Sequence, residues 1–428
     1  MEKKTMQNKF LIGAATAAHQ VEGNNYNSDF WAMENMEHTR FKEPSLDAVD
    51  HYNKYEEDID LLSAAGLNAY RFSIEWARIE PEMGKYNKKE VEHYRKVLEY
   101  CYEKEVTPIV TMHHFSSPRW LIEDGGWESE KTIDAFAEYC RYVVSEIGDL
   151  LGYVCTINEA NMGLQLAAII RDMMMQKNRD VQVGVNIDKP AGAEEMPLDI
   201  NQIFKNVPPL ILNSFLSMRT VKGDQIIMCA HEKARDAIKE ICPHLQVGIT
   251  LSLYDYQVQV GGEDFEKKEW EAEFAHYLPY IEKDDFFGLQ NYTRKLIGPE
   301  GVLPMPENAE RTQMDYEFYP QAVGNVIRKV AKYISIPIIV TENGIATDDD
   351  KRRCDYIEQA ITGVLKCVED GIPVKGYCYW SLLDNFEWQK GFDMKFGLIE
   401  VDRENNQKRY PRESLTVLGS YINKEKFL

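Results

Sequence analysis

Two glutamates stand at the ends of apolar, strand-like runs. Glu342 follows Ile338, Ile339 and Val340 in "PIIVTEN", and Glu159 follows Val154, Cys155, Thr156 and Ile157 in "YVCTINE". β-Branched residues suit a strand covered on both faces, so each run enters the interior and then delivers a carboxylate. A third run, "TPIVTMHH", ends on His113 and His114. Two carboxylates facing each other across a pocket are what glycoside hydrolysis needs: one protonates the departing oxygen, and the other activates water or attacks the sugar carbon itself. Taken singly, each glutamate reads equally well as a loop acid among the seventy acidic residues of the chain. Distance along the chain does not show that the two meet.

The elements that would bring them together alternate along the sequence. "FLIGAAT", "AYRFSIE", "TPIVTMHH", "YVCTINE", "VGITLSL", "DFFGLQNY", "PIIVTEN" and "VKGYCYWSL" read as strands. Amphipathic segments such as "KYEEDIDLLSAAG", "KKEVEHYRKVLEYCYEKE" and "CDYIEQAITGVLKCVEDG" read as helices between them. Gly66, Gly148 and Gly371 fall near helix ends, where a glycine can take the left-handed closing conformation. Eight strands separated by helices or long connections predict an α/β fold, one (β/α)8 TIM barrel over residues 1–428. In such a barrel the site lies at the C-terminal rim of the strands. Neighbours on a strand face opposite sides, so His113 should turn away from His114. Residues 161–225 and 381–412 interrupt the rhythm, and loops of that length are commonly functional lids or walls.

Composition narrows the class further. Hydrophobic residues make up 44% and charged residues 28% of the 428 residues, enough for a sizeable core. A formal net charge of −21 argues against nucleic acid and against an anionic membrane surface. "MEKKTMQNKF" opens polar, "FLIGAATAA" is too short for a signal peptide, and "LQLAAIIRDMMM" is cut by Arg171 and Asp172, so neither secretion nor a membrane span is expected. The eight cysteines form no C-x-x-C pair and read as thiols in a reducing cytoplasm. No glycine-rich phosphate loop and no G-x-G-x-x-G appear, so no cofactor is expected; the nine histidines include no H-x-H or H-E-x-x-H metal signature.

"TINEA" and "VTENG" resemble the two signature segments of family 1 glycoside hydrolases, the β-glucosidase family. The resemblance runs almost end to end, through "FLIGAATAAHQVEG", "AYRFSIEWARIEP", "TMHHFSSPRWL", "DFFGLQNYTR" and "GYCYWSLLDNFEWQKGFDMKFGLIEVD". It implies Glu342 as nucleophile and Glu159 as general acid and then general base of a retaining exo-β-glycosidase, with the carboxyl groups about 5 Å apart. It further implies that Arg71 keeps Glu342 anionic, that Tyr292 hydrogen-bonds the same carboxylate, and that Asn158 holds the 2-hydroxyl of the sugar. Gln20, His114, Phe115, Glu387 and Trp388 would surround the terminal sugar, with Trp380 as its apolar floor.

The pattern bends in places. Ile157 and Ala160 replace the aromatic and the proline of the usual T-F-N-E-P, a change expected to shift Glu159 slightly. Gln290 and Asn291 stand where the usual G-x-N-Y-Y has Asn and Tyr, and Phe115 stands where tryptophan is frequent. Relatives that cleave 6-phosphorylated sugars replace the hydroxyl-binding glutamate, whereas "LDNFEWQKGF" keeps Glu387, whose anion would repel a phosphate. The expected substrate is therefore a small unphosphorylated β-glucoside, with β-galactosides, β-fucosides or 6-phospho-β-glucosides as alternatives. A non-catalytic sugar-binding relative is the reading from another class, and the presence of both glutamates speaks against it. "RDMMMQ", with Met174 and Met175, and "MPLDINQIFKNVPPLILNSFLSM" would line an outer site for an apolar aglycone or pack against the barrel helices. Assembly into a homo-oligomer is left open.

Overall fold

The β-branched runs form strands where the sequence places them. The computed structural model describes residues 9–174, 184–186, 196–205, 207 and 212–422. Its main sheet comprises β1 (Leu11–Ala15), β2 (Ala69–Ser73), β3 (Thr107–His113), β4 (Tyr153–Ile157), β5 (Gln246–Gly248), β6 (Thr250–Ser252), β7 (Phe287–Gln290), β8 (Ile338–Asn343) and β9 (Val374–Trp380). All nine pair in parallel, in the order β5-β4-β3-β2-β1-β9-β8-β7-β6.

The run predicted as a single fifth strand is broken at Ile249. The amide of Ile249 donates to the Asp284 carboxylate at 3.1 Å instead of joining the ladder. On one side of the break β5 pairs with β4, and on the other β6 pairs with β7. One short stretch thus joins both edges of the sheet, which curls into a barrel. Alternation divides its side chains. Leu11, Ala69, Ile109, Tyr153, Ile339 and Cys378 share one apolar cluster, whereas Ile12, Tyr70, Val110, Val154 and Val340 belong to the larger cluster beneath the helices. Continuous apolar runs follow from this burial on both faces.

The covering helices are α1 (His51–Ala64), α2 (Lys88–Glu103), α3 (Lys131–Ile147), α4 (Met162–Met174), α5 (Val221–Ile241), α6 (Glu263–Glu273), α7 (Ala322–Val330) and α8 (Asp350–Glu369). Helix α3 shows the logic: Phe136, Ala137, Cys140, Val143, Val144 and Ile147 recur at helical spacing and are buried. Asn87 caps α2 through the Lys89 amide, Thr220 caps α5 through Gly223, and Asp349 caps α8 through Lys351. Gly66 and Gly371 take positive φ after α1 and α8, at 94° and 84°. Gly148 does not: its φ of −62° continues the turn into a short 3-10 segment, Gly148–Leu150.

The interruptions hold structure that the sequence pattern does not announce. Residues 161–225 contribute α4 and a short helix, Met196–Ile203. The 381–412 connection folds into an antiparallel hairpin of Ile399–Asp402 with Lys408–Pro411. Among the described residues no helix is long and apolar enough to cross a membrane.

Candidate active site

Glu342 lies one residue before the end of β8, where the sheet runs out of apolar neighbours. Its Oε1 accepts from Arg71 Nη1 at 2.5 Å and its Oε2 accepts from Tyr292 Oη at 2.6 Å. Arg71 comes from β2, is itself fully buried, and spends its other donors on Thr111 Oγ1 at 3.1 Å and Asn158 Oδ1 at 2.6 Å. Burial pushes the Glu342 carboxyl up, and Arg71 and Tyr292 pull it back.

Glu159 sits just past β4 in a turn stitched to β6. The Glu159 amide donates to Thr250 Oγ1 at 2.9 Å, and the Ala160 amide donates to Thr250 O at 3.1 Å. A proline at 160 would have no hydrogen for the second bond, so the departure at Ala160 does local work. Glu159 itself has φ of 42°, the left-handed region that side chains other than glycine seldom adopt. Among the described residues no cation touches its carboxyl. Burial first, then the charge of Glu342, pushes it well above the ordinary glutamate range, against a hydrogen bond from Ser252. The two acids therefore differ in their partners: Arg71 and Tyr292 both bond Glu342.

Around them the expected sugar-binding side chains converge. Asn158 Oδ1 accepts from Arg71, from Gln290 Nε2 at 2.7 Å and from Thr250 Oγ1 at 3.3 Å. With its oxygen so occupied, its amide nitrogen faces His114 Nε2 at 3.1 Å. Burial pushes the His114 imidazole well below its ordinary value, so the ring is neutral. Its ring stacks with Trp380 at 5.7 Å and with Trp388 at 6.1 Å between centroids. Gln20 Nε2 reaches Glu387 Oε2 at 3.2 Å. Burial and the Glu342 charge push the Glu387 carboxyl up to about 8.

Glu159, Glu342, Glu387, His114, Phe115, Tyr292, Trp380 and Trp388 line one cavity, together with Phe396. It encloses only about 20 Å³, a single water's worth. Every site residue expected from the sequence is in this cavity or in direct contact with a residue lining it. His113 is turned away, as strand alternation requires, and bonds Ser117 Oγ at 3.0 Å.

Thr111, Thr250, Ser252, Gln290 as a partner of Asn158, and Phe396 were not singled out from the sequence. Phe396 sits inside "MKFGLIEVD", a segment read as connection. Asn291, the other departure, is structural: its side chain bonds Leu253 O and Thr293 O. Met175 lies outside the described residues, as does the side chain of Met174.

Comparison with known proteins gives one consistent picture. The model of glycosyl hydrolase family 1 matches residues 2–172 and 281–427. Beta-glucosidase A of Thermotoga maritima is 29% identical, with 97% of each chain covered. The 6-phospho-beta-galactosidase of Staphylococcus epidermidis is 28% identical over 96% of this chain and 97% of its own. Among solved structures, beta-glycosidase BGL167 superposes with a TM-score of 0.87 at 43% identity, covering 97% of this chain and 96% of its own.

Proposed function

The chain belongs to glycosyl hydrolase family 1, and from that premise we propose that it is a retaining exo-acting β-glycosidase cleaving terminal, unphosphorylated β-D-glucosyl residues from small glycosides. The observation that carries this reading is the unequal treatment of two acids in one cavity: Arg71 and Tyr292 hold Glu342, and neither holds Glu159. Glu342, the better stabilised anion, attacks the anomeric carbon. Glu159 delivers its proton to the glycosidic oxygen as the bond to the leaving alcohol breaks. The product is a glycosyl ester on Glu342, whose charge is then gone. Without that neighbouring charge Glu159 ionises more readily, takes a proton from water, and the resulting oxygen nucleophile releases the sugar. Asn158 presents its amide N–H to the 2-hydroxyl while Gln290 and Arg71 fix its orientation. The whole chain, 1–428, acts as one catalytic unit, and the eight unpaired thiols are consistent with a reducing cytoplasm.

Glu387 supports an unphosphorylated substrate as a hydrogen-bonding carboxyl; burial and the Glu342 charge push it up to about 8, so it is not the repelling anion expected from the sequence. It is buried, it bonds Gln20, and among the described residues no lysine or arginine lines the cavity to receive a phosphate. The Glu342→Gly protein tests the mechanism: added azide should restore turnover and give the inverted glycosyl azide, and unimpaired hydrolysis without azide would refute the assignment. Faster cleavage of a 6-phosphoglucoside than of the plain glucoside would refute the substrate.

A further inference from the structure

We propose that a second cavity, between α4 and α6, binds an amphipathic organic monoanion, its carboxylate on Arg219 and its apolar body along the two helices. This cavity encloses about 840 Å³ and shares no lining residue with the sugar site. That volume is in the range of small-molecule sites. Ala168 of α4, Phe265 of α6 and Val302 supply apolar wall; Arg219, Arg171 and Lys268 supply charge.

Arg219 is what marks it as a site. It is only 6% exposed, and its Nη1 is buried with no hydrogen-bond partner among the described residues. Its Nη2 donates to Phe215 O at 2.5 Å, and the guanidinium lies 4.9 Å from the centre of the Phe215 ring. On the other side it presses on the first turn of α4, where a Cβ at Gly163 would come within 2.8 Å of its Cζ. The carboxylates nearest in charge are Asp224 and Glu128, and both are committed elsewhere. Asp224 bonds Tyr277 Oη at 2.7 Å and His276 Nε2 at 3.0 Å; Glu128 bonds the Thr220 amide at 2.9 Å. Burial of an unpaired cation is costly, and it drags the guanidinium down to about 10. In a chain of net charge −21, carboxylates to pair it are abundant, so an arginine left without one is fitted to an anion from outside.

The ligand class follows from the lining. Three cations against two carboxylates, Glu269 and Glu273, leave one positive charge, which suits a monoanion. Those carboxylates bear on Tyr256 and do not figure among the charges that Arg219 senses. Arg219 and α6 both lie in residues 173–280, outside the family match.

Isothermal titration of the full-length protein with 4-phenylbutyrate and with the neutral 4-phenylbutanol tests the proposal. The acid should bind at least about tenfold tighter, the size of one charge-assisted hydrogen bond. Arg219→Met should abolish that difference while leaving glycoside turnover intact, which also reports that it folds. If Arg219→Met does not fold, Arg219→Lys serves, with the acid expected to bind severalfold more weakly. Inorganic phosphate, which lacks the apolar body, should bind more weakly than the acid. Binding should persist after the sugar site is blocked with a 2-fluoro glucoside. Equal binding of acid and alcohol, unchanged binding by the Arg219 variant, loss of binding in the blocked protein, or no binding at millimolar concentration would each overturn it.

Discussion

Two buried clusters in this barrel each combine carboxylate, arginine and hydroxyl groups, and they handle charge in opposite ways. Behind β2, Asp58 accepts from Arg409 Nε at 2.7 Å and Nη2 at 2.8 Å and meets His51 Nδ1 at 2.7 Å. The chain continues from His51 to Tyr70 Oη at 2.9 Å and on to Thr16 Oγ1 at 2.7 Å. Burial opposes ionisation of Asp58, yet Arg409 and His51 outweigh it and hold the carboxyl below its ordinary range. At the rim, three glutamates line one cavity, Arg71 pairs with Glu342, and all three are pushed up. The first cluster is balanced and closed. The second is left unbalanced, and groups displaced from their solution behaviour are the ones able to move protons at neutral pH. Burial is common to both clusters; what differs between them is how far cations match the acids.

The sharpest way to break this contrast is to remove one acid from each cluster. Glu342→Gln should lower kcat by about 10⁴-fold or more, as when one member of a covalent catalytic unit is lost, measured by single-turnover hydrolysis of an aryl glucoside. Asp58→Asn should do the reverse. It leaves Arg409 buried and uncompensated, which costs roughly 3–5 kcal/mol of stability in denaturant melts, while kcat per folded molecule stays at the parent value. If Asp58→Asn instead lost activity without losing stability, the division between the clusters would fail.

A smaller effect sharpens the comparison through pH. The folded Glu387 carboxyl keeps its proton up to about 8, whereas an unfolded one releases it near 4.5. Over that window the unfolded state alone is ionised, so raising the pH costs stability progressively, and the cost is complete above about 8. Glu387→Gln should therefore melt increasingly above the parent as the buffer moves from pH 5 to pH 8, by a few degrees, with weaker substrate binding. Asp58 has the opposite sign: its stabilisation is present above the ordinary aspartate value and is lost as pH falls through its lowered folded one. A melting difference between parent and Glu387→Gln that stayed flat with pH would contradict the assigned displacement.

The strands were legible because burial on both faces leaves a continuous apolar run, and Glu159 and Glu342 were legible because a carboxylate at the end of such a run is conspicuous. The break at Ile249 was not, since it depends on Asp284, 35 residues away in the chain. Thr250 and Ser252 reach Glu159 only because of how that broken strand sits, so no local pattern announces them. Ala160 read as a change that would shift Glu159 slightly, and its amide supplies a hydrogen bond that a proline could not. Arg219 carried no sequence signal at all, because what distinguishes it is the absence of a partner.

One feature of the rim reaches beyond the reaction itself. Only Ala160 and Asn161 separate Glu159 from the start of α4, so the proposed proton donor is mounted on the tip of a rod instead of hanging from slack chain. Any change that tilts or slides that rod aims the acid afresh. Preference among departing alcohols can thus drift through substitutions along the outer flank of α4, at positions no carbohydrate ever touches.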